Sequence, residues 1–487
     1  MKVSSSTIAL VVSIIAVVID VAGRFFSLIY VPRNRRPQTA LAWLLAIWLV
    51  PYVGLILFFI AGNARLPRAR RKKQREINRY IEESNQGEML EHDPPLPPWL
   101  DTIAELTRSL TGMRLTGENA ATIYRSDDES LAAMVDAIGS AKRVIHCEFY
   151  IMALDDTTMP FFDALEAACA RGVTVRVLVD HLGSFGYPGF GGAKRRLSGM
   201  GAHWHLMLPF QPLRGKISRP DLRNHRKLLV IDGDIAFTGS RNIITPSYEK
   251  RANVKRGLVW KDFMTRFEGP VVTGIDALFI TDWYCETDEL LVREVPEPRA
   301  SRAGDLQCQV VPSGPGFPGE NDLRLFNALV YAATKRVILT SPYFVPDDSM
   351  LYAITTAAQS GLDVQLFVSE VGDQFLVYHA QRSYYEALLK AGVRIWLYPS
   401  PTVLHAKHFT IDDDVAVFGS SNMDMRSFSL DLEISVMVRG QQFIHELQQT
   451  EQRYREHSRE LTLDEWSQRS FLKRTLDDLA RLTAVVQ

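Results

Sequence analysis

The sequence predicts an α/β protein in which two duplicated α/β/α halves pack with pseudo-twofold symmetry, preceded by a two-helix transmembrane hairpin. Three observations lead to this prediction. A short motif of His, Lys and Asp occurs twice, strands and helices alternate in the same order around both copies, and two apolar runs precede them. The 487 residues suffice for two or three domains with sizeable cores. The predicted boundaries are a membrane hairpin at 1–64, a basic juxtamembrane linker at 65–101, a first half at 102–295 and a second half with a C-terminal helix at 296–487.

Two apolar runs near the N-terminus predict the hairpin. Ile8–Gly23 is apolar apart from Ser13 and Asp20, and Thr39–Ala61 has about the length that spans a membrane. A signal peptide is the alternative for the first run, but the second run would then act as a stop-transfer segment. Pro51 lies inside the second run, where a proline kinks a helix.

Flanking charges predict the orientation of the hairpin. The basic residues after the second run are Arg65, Arg68, Arg70, Arg71, Lys72, Lys73, Arg75 and Arg79. The loop between the runs carries Arg33, Arg35 and Arg36, which oppose this cluster. The larger cluster favours a cytoplasmic body, and a hairpin that enters the bilayer without crossing it would remove the conflict. The basic run is also suited to anionic lipid, at about 1 kcal/mol for each charge near the surface.

Composition narrows the classes of function. The net charge is −1 and the pI is about 6.8, which does not favour a general nucleic-acid binder. The four cysteines show neither zinc spacing nor a disulfide framework. The sequence contains no clustered Asp, Glu and His residues of the kind that bind a metal, so we expect neither a metal nor another cofactor.

The duplication is visible in the order of elements. Residues 141–145 lead into a strand, a helix that ends at Gly172 and a buried strand at Val173–Asp180. Residues 334–338 start the same order again, with the corresponding buried strand at Leu362–Ser369. Alternating strands and helices predict a mostly parallel sheet with both faces covered.

Each half contains one copy of the motif. The first copy contains His225, Lys227, Asp232, Ser240 and Asn242, and the second contains His405, Lys407, Asp412, Ser420 and Asn422 at equal spacings. Asp232-Gly233 is a hairpin signal, and residues two apart on a strand face the same way. His225 and Lys227 are therefore expected to project together.

The segment before the first copy has no counterpart in the second half. Leu206–Arg223 begins with apolar residues and then carries Arg214, Lys216, Arg219 and Arg223. This combination suits docking on an anionic membrane, and the alternative is an ordinary surface loop.

The duplicated motif resembles that of the phospholipase D superfamily, and further stretches resemble its bacterial cardiolipin synthases. These stretches are Ala40–Leu45, Ser313–Pro318, Ser341–Pro346 and Asn422–Ser427. The resemblance covers nearly the whole chain, and the motif positions show no departure. It implies two phospholipase D-like halves and a protein of the bacterial inner membrane with its catalytic body in the cytoplasm.

The residue types suit attack on a phosphodiester. A neutral imidazole can attack phosphorus, a second imidazole can protonate the leaving alkoxide, and two lysines can neutralise the charge that builds on oxygen. A nucleophilic His needs an acceptor at its other ring nitrogen, and Asp262 and Glu433 are the candidates, one in each half. Asp232 and Asp412 belong to the motif, but their place at hairpin turns indicates a structural more than a chemical role. Ser240, Asn242, Ser420 and Asn422 are expected to hold phosphate oxygens.

The resemblance implies transfer of a phosphatidyl group between two phosphatidylglycerol molecules, through a phosphohistidine, to give cardiolipin and glycerol. By analogy His225 is the nucleophile and His405 the acid and base, although the sequence does not decide between them. A phospholipase D or a phosphatidylserine synthase-type transferase would use the same site. A soluble nuclease would need no hairpin, and an inactive membrane scaffold would not need two intact motifs. The expected partners are phosphatidylglycerol and anionic membrane lipid, without nucleic acid, and the sequence is compatible with an oligomer.

Overall fold

The computed structural model describes residues 5–33, 35, 37–62, 66–84, 95–211, 216–291, 303–317 and 319–483. The chain forms two compact units, Met1–Arg65 and Leu66–Gln487. Four residues named in the predictions above, Arg36, Arg65, Arg214 and Pro318, lie outside the described ranges.

The N-terminal unit contains helices α1 (Ser5–Tyr30), α2 (Pro37–Leu49) and α3 (Pro51–Ala61). Within the described residues, Ser13–Tyr30 is the stretch that is long and apolar enough to cross a membrane. The second apolar run is broken at Val50, where φ is −134° and ψ is 73°, because Pro51 starts a new helix. Its parts of 13 and 11 residues are each shorter than the about 20 residues that span a bilayer. The structure therefore shows an apolar N-terminal helix and does not show two spanning helices.

The body is built around one large mixed sheet. The strands of the first half are β1 (Leu115–Tyr124), β2 (Val144–Phe149), β3 (Thr174–Asp180), β4 (His203–Met207), β5 (Phe210–Gln211), β6 (Lys216–Ile217), β7 (Arg223–Asn224), β8 (Lys227–Ile231), β9 (Ile235–Gly239), β10 (Val259–Lys261) and β11 (Met264–Glu268). Those of the second half are β12 (Leu306–Ser313), β13 (Arg336–Thr340), β14 (Phe344–Val345), β15 (Asp363–Ser369), β16 (Arg394–Tyr398), β17 (Thr402–Leu404), β18 (His408–Ile411), β19 (Val415–Gly419), β20 (Met423–Asp424), β21 (Asp431–Arg439) and β22 (Arg459–Leu461).

Helices cover the sheet. They are α4 (Arg68–Ser84), α5 (Pro98–Thr111), α6 (Asp127–Ser140), α7 (Met159–Ala170), α8 (His181–Phe185), α9 (Phe190–Gly199), α10 (Arg251–Lys255), α11 (Val271–Thr287), α12 (Asn321–Ala332), α13 (Asp348–Gln359), α14 (Phe375–Ala391), α15 (Met425–Ser429), α16 (Gln441–His457), α17 (Leu463–Ser467) and α18 (Phe471–Arg481). Helix α4 lies in the predicted linker but packs on α11, where Arg70 pairs with Asp282 at 3.1 Å. The folded body therefore begins within the segment predicted as a linker.

Strand order repeats between the halves. It is β4-β3-β2-β8-β9-β11-β1 in the first half and β16-β15-β13-β18-β19-β21-β12 in the second, with β22 added at the edge. Strands β1 and β12 pair antiparallel and join the halves into one sheet. The predicted duplication is confirmed, and a repeated order on either side of one central pair is what pseudo-twofold symmetry requires.

The prediction of a mostly parallel sheet is wrong. In the first half only β2, β3 and β4 run parallel, while β8, β9, β11 and β1 pair antiparallel with their neighbours. The second half repeats this arrangement. The reason is that the motif itself forms a hairpin, and strands joined by a tight turn can pair only antiparallel.

Candidate active site

Two short parallel strand pairs carry the catalytic motifs across the boundary between the halves. Strand β7, just before His225, pairs with the start of β21, and β10 pairs with β17, just before His405. The backbone N–H of His225 donates to the Leu432 carbonyl oxygen, and that of His405 donates to the Lys261 carbonyl oxygen, both at 2.9 Å. Each histidine is therefore anchored on a strand of the other half.

This anchoring places each imidazole beside a carboxylate of the opposite half. His225 Nδ1 lies 2.9 Å and 3.1 Å from the two carboxylate oxygens of Glu433. His405 Nδ1 lies 2.7 Å from Asp262 Oδ1. The sequence indicated these two carboxylates but not the crossing of the pairs. With Nδ1 held in this way, Nε2 is the ring atom that can meet a substrate.

The serines of the Gly-Ser turns support the carboxylates. Ser240 Oγ donates to Asp262 Oδ1 at 2.6 Å, and Ser420 Oγ donates to Glu433 Oε2. Glycine is needed before each serine, since a Cβ at Gly239 would lie 2.3 Å from the Phe263 carbonyl oxygen. Ser240 and Ser420, which were predicted to hold phosphate oxygens, thus donate their hydroxyls to the carboxylates that orient the histidines.

The two lysines of the motifs make equivalent hydrogen bonds in the two halves. Lys227 Nζ donates to the carbonyl oxygen of His225, and Lys407 Nζ donates to that of His405 at 2.7 Å. Both side chains are buried. Burial lowers the pKa of Lys227 to about 7 and that of Lys407 to about 8, although carboxylates of the site oppose this effect. An anion in the site would favour the charged form of both lysines.

The two His–carboxylate pairs differ electrostatically. Burial and then the charge of Lys227 lower the pKa of His225 well below its usual value. Burial and Lys407 also lower the pKa of His405, but Asp262 raises it in part. Burial raises the pKa of Glu433, whereas at Asp262 the effect of burial is outweighed by His405 and Lys407, and the pKa falls below its usual value. His225 therefore favours the neutral form more strongly than His405 does.

The aspartates of the motif lie at the far ends of their strands. Asp232 accepts backbone N–H bonds from Lys142, Arg143 and Val144, each at 2.8 Å. Asp412 does the same for residues 334–336, at 2.7 to 2.9 Å. The structure does not bring these carboxylates, which were grouped with the catalytic residues, to the imidazoles. They hold the hairpin turns to the segments that lead into β2 and β13.

The two asparagines are placed differently. Asn242 Nδ2 donates to the Tyr248 hydroxyl at 2.9 Å, and its Oδ1 accepts from the Ile151 N–H at 3.1 Å. Asn422 Oδ1 is buried and has no hydrogen-bond partner among the described residues. Asn242 thus acts within the protein, while Asn422 retains an unused polar atom.

Aromatic side chains surround the imidazoles. The Tyr150 ring centroid lies 4.9 Å from that of His225, and Tyr343 and Tyr248 each lie 6.4 Å from His405. No motif or spacing in the sequence pointed to Tyr248. Arg426 holds Asp431 Oδ2 at 3.1 Å and the Asp221 carbonyl oxygen at 2.9 Å.

The insert before the first motif directs part of its charge inward. Arg223 is buried and pairs with Asp180 at 3.2 Å, and Arg219 pairs with Asp221. Arg223 is therefore not available to a membrane surface. Among the described residues we found no group of three or more His, Cys, Asp and Glu side chains placed to bind a metal ion.

The chain is similar to known proteins over most of its length. The family described as "Cardiolipin synthase, PLD-like domain" matches residues 134–281 and 327–454, and "Phospholipase D-nuclease N-terminal" matches residues 10–63. Cardiolipin synthase A of Proteus mirabilis (strain HI4320) is 34% identical over 460 residues, which is 92% of each chain. Cardiolipin synthase A of Cronobacter sakazakii (strain ATCC BAA-894) is 31% identical over 459 residues, again 92% of each chain.

A solved structure shares the fold. The crystal structure of phosphatidylserine synthase from Haemophilus influenzae Rd KW20 has a TM-score of 0.58 at 14% identity, and the match covers 79% of this chain and 99% of that one. At this identity the likeness concerns the fold alone. The matches over both halves and over most of the chain confirm the resemblance predicted from the motifs, and the chain belongs to the bacterial cardiolipin synthases of the phospholipase D superfamily.

Proposed function

We propose that this chain is a phosphatidyltransferase that converts two phosphatidylglycerol molecules into cardiolipin and glycerol. The observation that supports this most directly is the crossed pair of buried His–carboxylate units, with a lysine beside each. One half contains one histidine and the carboxylate for the other, so only the two halves together make a complete site.

In the first step, Nε2 of His225 attacks the phosphorus of one phosphatidylglycerol. The bond from phosphorus to the headgroup glycerol oxygen breaks, and protonated His405 gives its Nε2 proton to that oxygen as glycerol leaves. The product is a phosphatidyl group on His225, and Glu433 balances the positive charge that the imidazole gains.

In the second step, a glycerol hydroxyl of another phosphatidylglycerol attacks the same phosphorus. His405 takes the hydroxyl proton, the bond from phosphorus to Nε2 breaks, and cardiolipin is released with His225 restored. His405 is then protonated again and ready for the next cycle. Lys227 and Lys407 stabilise charge on the non-bridging oxygens in both steps.

The assignment of His225 as nucleophile rests on the electrostatic difference between the two pairs. A nucleophile must be neutral when it attacks, and the lowered pKa of His225 follows from burial and Lys227. A general acid must hold a proton, and at His405 the ionised Asp262 partly offsets the lowering of the pKa by burial and Lys407, which makes His405 the better suited of the two to carry one. Ser240 and Ser420 act in this proposal by holding the carboxylates. Asn422 donates a hydrogen bond from Nδ2 to a phosphate oxygen, and Asp232 and Asp412 stabilise the hairpins.

The membrane arrangement is part of the same proposal. We infer that residues 1–64 form a two-helix hairpin in the bacterial inner membrane, with the body in the cytoplasm. The apolar helix α1, the apolar α2 and α3, and the basic start of α4 support it. Tethering at a membrane brings the site to both lipid substrates.

Incubation of the purified protein with phosphatidylglycerol alone tests the proposal. We expect cardiolipin and free glycerol in equal amounts, and none from His225→Ala. The matched control is His203→Ala, which removes an exposed imidazole on β4 and should leave the rate unchanged. Phosphatidic acid as the main product would indicate hydrolysis instead, and cardiolipin formation by His225→Ala would refute the mechanism.

A further inference from the structure

The helix α18, near the C-terminus, is amphipathic in the reverse sense of an ordinary surface helix. Its side chains against the body are Asp477, which is 1% exposed, and Ala480, which is 3% exposed. Its apolar side chains face away from the body, with exposed fractions of 79% for Phe471, 79% for Leu472 and 57% for Leu479. A helix that serves only to cover a core would bury these apolar residues.

A buried carboxylate anchors this helix, next to the small apolar contact that Ala480 makes with the core. Asp477 Oδ1 lies 2.6 Å from His379 Nδ1 and 3.4 Å from Arg382 Nε, both on α14, and Oδ2 accepts a hydrogen bond from Arg469. These interactions fix the rotation of α18 about its axis. They therefore hold the apolar face of α18 away from the body.

Cations flank the apolar face. Lys473, Arg474 and Arg481 are exposed on α18, against one exposed carboxylate, Asp478. Arg474 is positioned by its bond to the Arg469 carbonyl oxygen, at 3.1 Å. An apolar stripe bordered by Lys and Arg is the pattern of a helix that lies in the interface of an anionic bilayer.

The apolar surface continues towards the candidate active site. Phe375 and Leu376, at the start of α14, are 64% and 49% exposed, and the Phe375 ring lies 4.5 Å from His379, the residue that binds α18. Two residues before Phe375, Asp373 accepts a hydrogen bond from the Tyr343 hydroxyl at 2.9 Å. The ring of Tyr343 in turn borders His405.

We propose that α18 and the start of α14 form a docking surface for an anionic lipid bilayer, separate from the N-terminal hairpin. Here "docking surface" means Phe375, Leu376, Phe471, Leu472, Leu479 and the flanking cations of α18. Its occupant is the bilayer that contains the substrate, so the inference rests on the proposed function. The apolar side chains enter the acyl boundary, the cations meet lipid phosphates, and the edge of the site beside Tyr343 and His405 is held against the membrane.

The kinetic test separates docking from catalysis. Leu472→Glu and Leu479→Glu each place a charge on the docking surface and leave the site intact. We expect each to raise the apparent KM for phosphatidylglycerol in vesicles by about tenfold, because a Leu side chain that enters the bilayer on docking is replaced by a charge. Turnover of dispersed short-chain phosphatidylglycerol should not change. The matched control is Tyr331→Glu on α12, where the side chain is 61% exposed and lies outside the docking surface, and this variant should behave as the wild type.

A direct measurement does not depend on activity. The chain carries Cys169→Ser and a fluorescent NBD label at Leu472→Cys. Its NBD fluorescence is measured with vesicles of phosphatidylglycerol and neutral lipid, whose doxyl-labelled acyl chains quench a label that enters the bilayer. We expect quenching at position 472 and none for the label on Asp478→Cys. Equal quenching at both positions, none at either, or a buried label with cross-linking between two copies would overturn the proposal. Quenching at 472 without any cardiolipin formation would instead retain docking and refute the proposed function.

Discussion

Replacing Glu433 by Gln tests the crossed arrangement most directly. The change keeps the size of the side chain and one acceptor oxygen, but it removes the negative charge that faces His225 at 2.9 Å and 3.1 Å. Both groups are buried, so water cannot replace the lost charge. The imidazole gains positive charge when it becomes bonded to phosphorus, and it is then left without its counter-charge.

The size of the effect follows from the contact. A hydrogen bond to a charged group contributes about 1.5–3 kcal/mol, and about 1.36 kcal/mol corresponds to a tenfold change. The range is therefore about 10- to 150-fold, and the charge developing on His225 favours its upper part. We expect kcat to fall by about 100-fold. KM should stay within about twofold, because Lys227 and Lys407 still meet the phosphate.

Two assays check this prediction. Rapid quenching with radiolabelled phosphatidylglycerol should show slower formation of the phosphatidyl-enzyme, while the melting temperature reports that the variant is folded. The second assay measures the rate at which diethyl pyrocarbonate modifies each histidine, mapped by mass spectrometry. This rate should change at His225 in Glu433→Gln and at His405 in Asp262→Asn. If Glu433→Gln altered His405 instead, or left kcat unchanged, the crossed pairs would not be the catalytic units.

Three further predictions follow from the site. Burial lowers the pKa of Lys227 to about 7 and that of Lys407 to about 8, so each lysine loses its charge as pH rises through its pKa. We therefore expect kcat/KM to fall between pH 7 and pH 9, and kcat, which reports the anion-bound site, to fall only at higher pH. A flat kcat/KM profile would contradict this. Asp232→Ala removes a carboxylate that accepts hydrogen bonds from three backbone N–H groups. A denaturant titration should show a free energy of unfolding lower by about 3 kcal/mol, while kcat per folded site stays near that of the wild type. A stable but inactive variant would indicate a chemical role for Asp232. Ser420→Ala should lower kcat by about tenfold with little change in KM, because its hydroxyl holds Glu433; a rise in KM alone would show that it binds phosphate instead.

The sequence by itself determined the duplication and the chemistry of the motif. Equal spacing from His225 to Asn242 and from His405 to Asn422 is a local property of the chain, as is the alternation that makes each motif a hairpin. The spacing also placed Asp232 and Asp412 at turns, where the structure has them binding backbone N–H groups. The carboxylates at 262 and 433 could be found because each follows the Gly-Ser turn of its own half in the sequence, although the structure places Glu433 on β21 and Asp262 between β10 and β11.

Only the tertiary structure decided which groups meet. The pairing of His225 with Glu433 and of His405 with Asp262 depends on two short strand pairs between the halves, β7 with β21 and β10 with β17. Such long-range pairing leaves no periodic signal in the sequence. The same holds for the outward face of α18. Its apolar spacing is compatible with a buried helix, and the bond from Asp477 to α14 turns that face to the outside. Spacing reports which side chains share a face, whereas the partners available to that face are set by the rest of the fold.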